Sequence, residues 1–115
     1  MIYVSHSLPV NDGTGPQLDR DQVWDGLVLK ADNALPFVPA MTDCVITERH
    51  DEHCFDRDIE FRSQRFTERI TLEPKHRVIF TRIAGPVLGT IANEIEESTN
   101  GELFLRFSFA LLVRD

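Results

Sequence analysis

Cysteine is scarce in this chain. Two residues, Cys44 and Cys54, are too few to staple a small fold, so a packed core has to hold it and a reducing cytoplasm is the expected compartment. Long hydrophobic runs are missing as well: no stretch approaches the ~20 apolar residues that span a membrane. The opening residues, MIYVSHSLPVND, lack a basic start followed by an apolar core and do not read as a secretory signal. Positive charge is short: 12 Lys and Arg stand against 19 Asp and Glu, for a net charge of −7, and no basic block exists. Nucleic acid and anionic membrane surfaces reward clustered bases, so neither is expected as a partner. Signatures of catalysis are also absent. There is no nucleophile elbow, phosphate loop, dinucleotide fingerprint, paired CxxC or HExxH, and Gly13-Thr14-Gly15 reads as a turn. Internal repeats and low-complexity tracts are lacking too.

What is present suits one globular domain over residues 1–115, with 42% apolar residues. Ile2–Val10 alternates, with Ile2, Val4, Leu8 and Val10 on one face and His6 among them. A helix follows. Asp19 is its expected N-cap, Gln22 completes a capping box, and Leu18 and Val23 occupy the two positions of a hydrophobic staple. Val23, Trp24, Leu27, Val28 and Ala31 form its apolar face, and Asn33 is a plausible stop. Leu35-Pro36-Phe37-Val38-Pro39 is an apolar connector with room for one helical turn. From Met41 the chain reads as strands: 41–49, 55–62, 64–73, 77–83, 87–96 and 102–113, a pattern that persists through Arg114 and Asp115.

Two hairpins fix their own registers. A turn at Arg62-Ser63 pairs residues whose numbers sum to 125, which sets Ile59 against Phe66 and Arg57 against Glu68. A one-residue slip would send every apolar side chain to the wrong face. A loop at Thr99-Asn100-Gly101, with Gly101 left-handed, sets Ile95 against Leu105, Asn93 against Phe107 and Ile91 against Phe109. Short hairpins between successive strands make a meander, and a sheet with one apolar face needs a covering layer. One helix and a connector are a thin cover for seven strands.

The run Asn11-Asp12-x-Thr14-Gly15-Pro16-x-Leu18-x-Arg20-x-Gln22-x-Trp24-x-Gly26-Leu27-x-x-Lys30-Ala31 resembles the opening of the AtaL-like family. Pro36-Phe37-Val38-Pro39, Leu88-Gly89-Thr90-Ile91-x-Asn93 and Gly101-Glu102-Leu103-x-Leu105-Arg106-Phe107 extend the resemblance over essentially the whole chain. That family lies within the START/Bet v 1-like (SRPBCC) superfamily, and some fungal members are encoded in gliotoxin- and acetylaranotin-type biosynthesis clusters. The resemblance implies an α+β helix-grip fold: a curved seven-stranded antiparallel sheet around a long C-terminal helix, enclosing an apolar cavity. This chain is expected to lack that helix, in keeping with the thin cover counted above. The superfamily includes lipid carriers, hormone-binding proteins and polyketide cyclases and aromatases.

An antiparallel sheet curled around a cavity would aim His6, Arg57, Glu68 and Asn93 at whatever fills it. Arg57 suits a carboxylate, phosphate or enolate oxygen, Glu68 a proton transfer or simple neutralisation of Arg57, His6 proton exchange, and Asn93 a carbonyl. The plain structural alternatives are an Arg57–Glu68 pair that fixes register and a buried, satisfied His6. The residues expected to touch a ligand are His6, Trp24, Arg57, Glu68, Asn93 and Phe107, with no catalytic residue assigned. The ligand expected is a small hydrophobic molecule with a polar end, and no cofactor is implied. A cyclase- or aromatase-type enzyme using Glu68 or His6, and a non-catalytic module that dimerises through its exposed sheet face, stand beside this reading. His50-Asp51-Glu52-His53-Cys54, with Cys44, offers zinc-ligand atoms but reads as a solvated hairpin tip, so no metal site is expected. Cys44 and Cys54 would face one another across that hairpin without a disulfide.

Overall fold

The computed structural model describes residues 1–113. Seven strands form one sheet: β1 (Ile2–Pro9), β2 (Met41–Asp51), β3 (Cys54–Phe61), β4 (Gln64–Glu73), β5 (Arg77–Ala84), β6 (Val87–Glu97) and β7 (Leu103–Val113). A single α-helix of 13 residues, α1 (Arg20–Asp32), lies between β1 and β2. The spatial order is β1-β7-β6-β5-β4-β3-β2, so β2 to β7 form a meander and β1 closes onto β7. Every neighbouring pair is antiparallel. The expected continuation of the last strand through Arg114 and Asp115 lies outside the described residues.

Both hairpin registers come out as the apolar pattern demands. Arg57 pairs with Glu68 and Ile59 with Phe66, while Ile91, Asn93 and Ile95 pair with Phe109, Phe107 and Leu105. The β3–β4 turn puts Arg62 at φ 50° and Ser63 at φ 64°, the two positive angles of a tight hairpin turn whose twist matches the strands. Gly101, at φ 87°, closes the β6–β7 loop, where Ser98 N–H donates to Glu102 O at 2.8 Å.

The start of α1 is built as its sequence dictates. The Asp19 carboxylate accepts from Gln22 N–H at 2.8 Å, and the Gln22 side chain accepts from Asp19 N–H at 2.9 Å. Two backbone donors with no partner inside the helix are thereby satisfied. At the other end Asn33 caps the helix by donating its N–H to Leu29 O. The connector makes one hydrogen-bonded turn, Phe37 and Val38 N–H both donating to Ala34 O, and does not continue as helix.

The helix buries Val23, Trp24, Leu27 and Ala31 against Phe55, Ile70, Val78, Phe80 and Ile95 on the concave face of the sheet. Burial of one such large apolar side chain stabilises the fold by about 1.5–3 kcal/mol, so this contact is the main core. A smaller cluster of Ala34, Met41, Ile59 and Phe66 fills the neighbouring end. The cover is uneven. On β1, whose partner rows run through β7, Ile2, Val4 and Leu8 stay 55%, 49% and 52% exposed. Gly89 of β6 sits at φ 129°, where glycine is favoured. A Cβ there would lie 2.1 Å from Ala110 O, so only glycine lets β6 approach β7 this closely.

Two expectations need correction. His6 is exposed rather than buried, because α1 stops short of β1. Cys44 pairs with Ile59, whereas Cys54 begins β3 opposite Asp51, so the two free thiols do not face one another. A hairpin that aligned them would have to turn at Arg49, whereas β2 runs on to Asp51 and turns at Glu52-His53.

Candidate functional site

Arg57, on β3, points under the C-terminal turn of α1. Its Nη1 donates to the carbonyls of Lys30 at 3.1 Å and Ala31 at 2.8 Å. Those carbonyls end the helix without an intrahelical partner, and a cation is favoured at that pole of the helix dipole. Nε and Nη2 donate to Glu68 Oε1 at 3.1 and 3.0 Å. Glu68 Oε2 in turn accepts from Arg82 Nε at 3.3 Å. Arg57 and Glu68 are 3% and 2% exposed, and Arg57 and Arg82 lie over the rings of Phe80 and Phe66. The Arg57–Glu68–Arg82 row ties helix to sheet through charges that are each answered.

Asn93, on β6, is buried two rows further along the same face, beside Val78 and Phe107. Its Oδ1 accepts from Lys30 Nζ at 3.1 Å. Lys30 leaves the apolar side of α1 between two aromatic rings, 5.9 Å from the Phe80 centroid and 5.7 Å from that of Phe107. Burial holds the Lys30 ammonium below the usual lysine range, and the Arg57 charge acts in the same sense while Glu68 opposes it.

Lys30 lines a cleft of about 400 Å³ between α1 and the β1–β7 side of the sheet. Leu8, Pro9 and Val10 line one wall, Val23, Gly26 and Leu27 the helix wall, and Phe37, Leu105 and Phe107 the remainder. Apart from Lys30 and Gln22 the lining is apolar. A wider depression of about 970 Å³ lies over the loop before α1. There Asn11 bonds both backbone groups of Leu18, and Thr14 donates twice to Asp12, holding its carboxyl below the usual range. Its walls include Asp12, Asp19, Arg20, Glu97 and Glu102, which suits solvent better than an apolar molecule.

The structure thus divides the residues expected at a site. Phe107 lines the cleft, and Asn93 stands behind it holding Lys30. His6 pairs with Phe107 across the β1–β7 ladder, its ring 5.6 Å from the phenyl ring and open to solvent. Trp24 is packed into the main core. Arg57 and Glu68 do not line the cleft; the last turn of α1 sits over them. Sequence reasoning passed over Lys30, although Val23, Leu27 and Lys30 follow the i, i+4, i+7 spacing of one helix face. A lysine at that spacing was the available signal.

On the convex face Glu48, His50 and Asp56 bring ligand-type atoms within 4.8 Å of one another. Asp56 is engaged there by Arg69 at 2.9 and 3.1 Å and by His50 at 3.1 Å. The Arg69 bonds lead in holding its carboxyl below the usual range, with His50 adding to them. A guanidinium already answers both oxygens, and any cation would have to displace it.

A curved seven-stranded antiparallel sheet with a helix on its concave face defines a helix-grip protein. The profile described as "AtaL: Acetylaranotin biosynthesis cluster protein L" matches residues 4–115, and the chain belongs to that family. Comparison with curated proteins gives no match. Among solved structures, the crystal structure of DR_A0006 from Deinococcus radiodurans is similar at TM-score 0.66 and 7% identity, over 98% of this chain and 84% of that one. The Zhui aromatase/cyclase from Streptomyces sp. R1128 is similar at TM-score 0.67 and 16% identity, over 99% of this chain and 70% of that one. No described helix is long and apolar enough to cross a membrane.

Proposed function

We propose that this protein binds a small hydrophobic molecule with an anionic or strongly polar end. The apolar part lies in the cleft between α1, β1 and β7, and the polar end meets Lys30. The supporting observation is that Lys30, held by Asn93 and flanked by Phe80 and Phe107, is the charged side chain of a lining that is apolar but for Gln22. Arg57 and Glu68 serve as the floor that fixes the last turn of α1 and so aims Lys30. His6 flanks the cleft through Phe107. Two free thiols and the absence of a long apolar helix among the described residues support a cytoplasmic carrier formed by residues 1–115 as one unit.

Two dyes of nearly the same skeleton test this. Anilinonaphthalene sulfonate carries an anion and phenylnaphthylamine does not. Wild type is expected to bind both, and Lys30→Met to lose roughly tenfold or more in affinity for the sulfonate alone, the worth of one charge-assisted hydrogen bond. Equal weakening of both dyes, or no binding of either, would overturn the reading.

The likeness to an aromatase/cyclase favours a second reading, an enzyme acting on a polyketide-like substrate. His6 is its best-placed proton carrier, being open to solvent beside Phe107, whereas Glu68 is occupied by two arginines. Turnover unchanged in His6→Ala would remove that residue from the mechanism. The exposed Ile2, Val4 and Leu8 suit a third arrangement, a second copy covering β1, which a clean monomer in light scattering at high concentration would exclude.

A further inference from the structure

We propose that Lys30 is a nucleophilic amine that captures an aldehyde-bearing ligand of the cleft as an imine. This rests on the cleft reading above and names the class of ligand that the site would take. The chain contains two lysines, and their settings differ. Lys75 is half in solvent and bridges Asp21 at 2.9 Å. Lys30 bridges no carboxylate among the described residues, and its only hydrogen bond there goes to the Asn93 amide oxygen, a neutral acceptor. The Arg57 guanidinium, which reaches the Lys30 carbonyl, is spent on Glu68 and on the end of α1. An amine that bridges no carboxylate and lies partly out of water gives up its proton more readily than an exposed one. The lowered pKa direction agrees with that geometry.

The chemistry balances without any added group. The lone pair of the neutral Lys30 Nζ attacks the aldehyde carbon, and the π pair of the carbonyl moves to oxygen. The oxygen takes up a proton, one is lost from nitrogen to solvent, and a carbinolamine results. Protonation of the hydroxyl then expels water as the carbon–nitrogen double bond forms. The resulting iminium keeps its N–H, which Asn93 Oδ1 is placed to accept, and its charge lies near the faces of Phe80 and Phe107. The apolar cleft takes the rest of the aldehyde. Asn93 is a positioning residue in this scheme, holding Nζ at the inner end of the cleft.

The experiment uses naphthaldehyde with cyanoborohydride, which reduces an imine to a stable amine. Labelled positions are mapped by peptide mass spectrometry, and Lys75 serves as the internal control. Naphthylmethanol, which fits the same space without reacting, competes for the cleft. Displacement of phenylnaphthylamine by either molecule reports occupancy separately. Lys30 is expected to label roughly tenfold or more faster than Lys75, in a reaction that naphthylmethanol suppresses. Lys30→Arg is expected to leave only Lys75 and the amino terminus labelled. Dye displacement with labelling no faster at Lys30 than at Lys75 overturns the imine proposal and leaves the cleft reading standing. Failure of both molecules to displace the dye overturns both.

Discussion

Arg57 and Lys30 are cations held by the same end of the same helix, and they are answered very differently. Arg57 makes four hydrogen bonds, two to the carbonyls that end α1 and two to Glu68. Lys30 makes one among the described residues, to a neutral amide, and then opens onto an apolar cleft. The half of the concave face under α1 is closed, with its charges matched. The half toward β1 and β7 is open, with a charge left over. A buried ion pair with every partner present is first a device for holding elements in register. A charge whose partners run out at the edge of a cleft is the better candidate for meeting something from outside.

Breaking the closed half should have the largest effect. Glu68→Ala leaves Arg57 with only the helix carbonyls and Arg82 with no carboxylate. A loss of about 3–5 kcal/mol is expected, the usual cost of stranding a buried charge, read from urea unfolding. Replacing Arg57 by Met strands Glu68 less severely, because Arg82 still donates to it. If both substitutions cost under about 1 kcal/mol, the row does not lock α1 to the sheet. Next in size is Gly89→Ala. It drives a methyl group toward Ala110 O, and a loss of about 3 kcal/mol is expected, at the high end of overpacking. The same change should also lower dye binding, because Gly89 pairs with β7, the strand that supplies Leu105 and Phe107 to the cleft. Normal stability and binding in this variant would mean that β6 and β7 separate without harm.

Removing the helix cap acts on both halves at once. Asp19→Ala strips one side of the capping box and is expected to cost about 1 kcal/mol. Lys30→Met should cost about 1 kcal/mol, since it leaves a neutral amide oxygen, that of Asn93, unanswered rather than a buried charge. That contrast with Glu68→Ala is the sharpest statement of the difference between the two halves.

The strand periods carried most of the architecture. Arg57 opposite Glu68 and Asn93 opposite Phe107 follow from alternation plus turn length, because a slip of one residue inverts every face. Asp19 and Gln22 announced the helix start for an equally local reason. What alternation does not encode is where a neighbouring layer ends. It placed His6 on the apolar face but not beyond the reach of α1, and it put Arg57 on the inner face without showing that the helix terminus covers it. Lys30 was legible only through helical spacing, as a polar residue on the buried stripe. Its pairing with Asn93 joins residues 63 apart and needs the fold. The Glu48–His50–Asp56 grouping escaped for a related reason: the β2–β3 register shifts move its members together.

The smallest predicted effect is a pair of pH dependences with the same sign and opposite causes. Asp56 is answered by Arg69 and His50, and its folded pKa is depressed. Its contribution is therefore present above the ordinary Asp value of about 3.9 and fades as pH falls through the lower folded value. Lys30 is depressed for the opposite reason, mainly burial with too few partners. Below the folded pKa both folded and unfolded chains carry that proton, and the folded chain bears the full cost of the buried charge. Between the folded pKa and the unfolded value of about 10.4, the unfolded chain holds more protons, so stability rises with pH across that window. Urea midpoints of wild type and Lys30→Met should therefore diverge in favour of wild type as pH is raised toward the ordinary lysine range. Asp56→Asn and wild type should converge as pH is lowered through the ordinary Asp range. Parallel curves for Lys30→Met and wild type across the alkaline window would show that Lys30 is as well answered as Arg57, and the distinction between an open and a closed half would fail at its most exposed point.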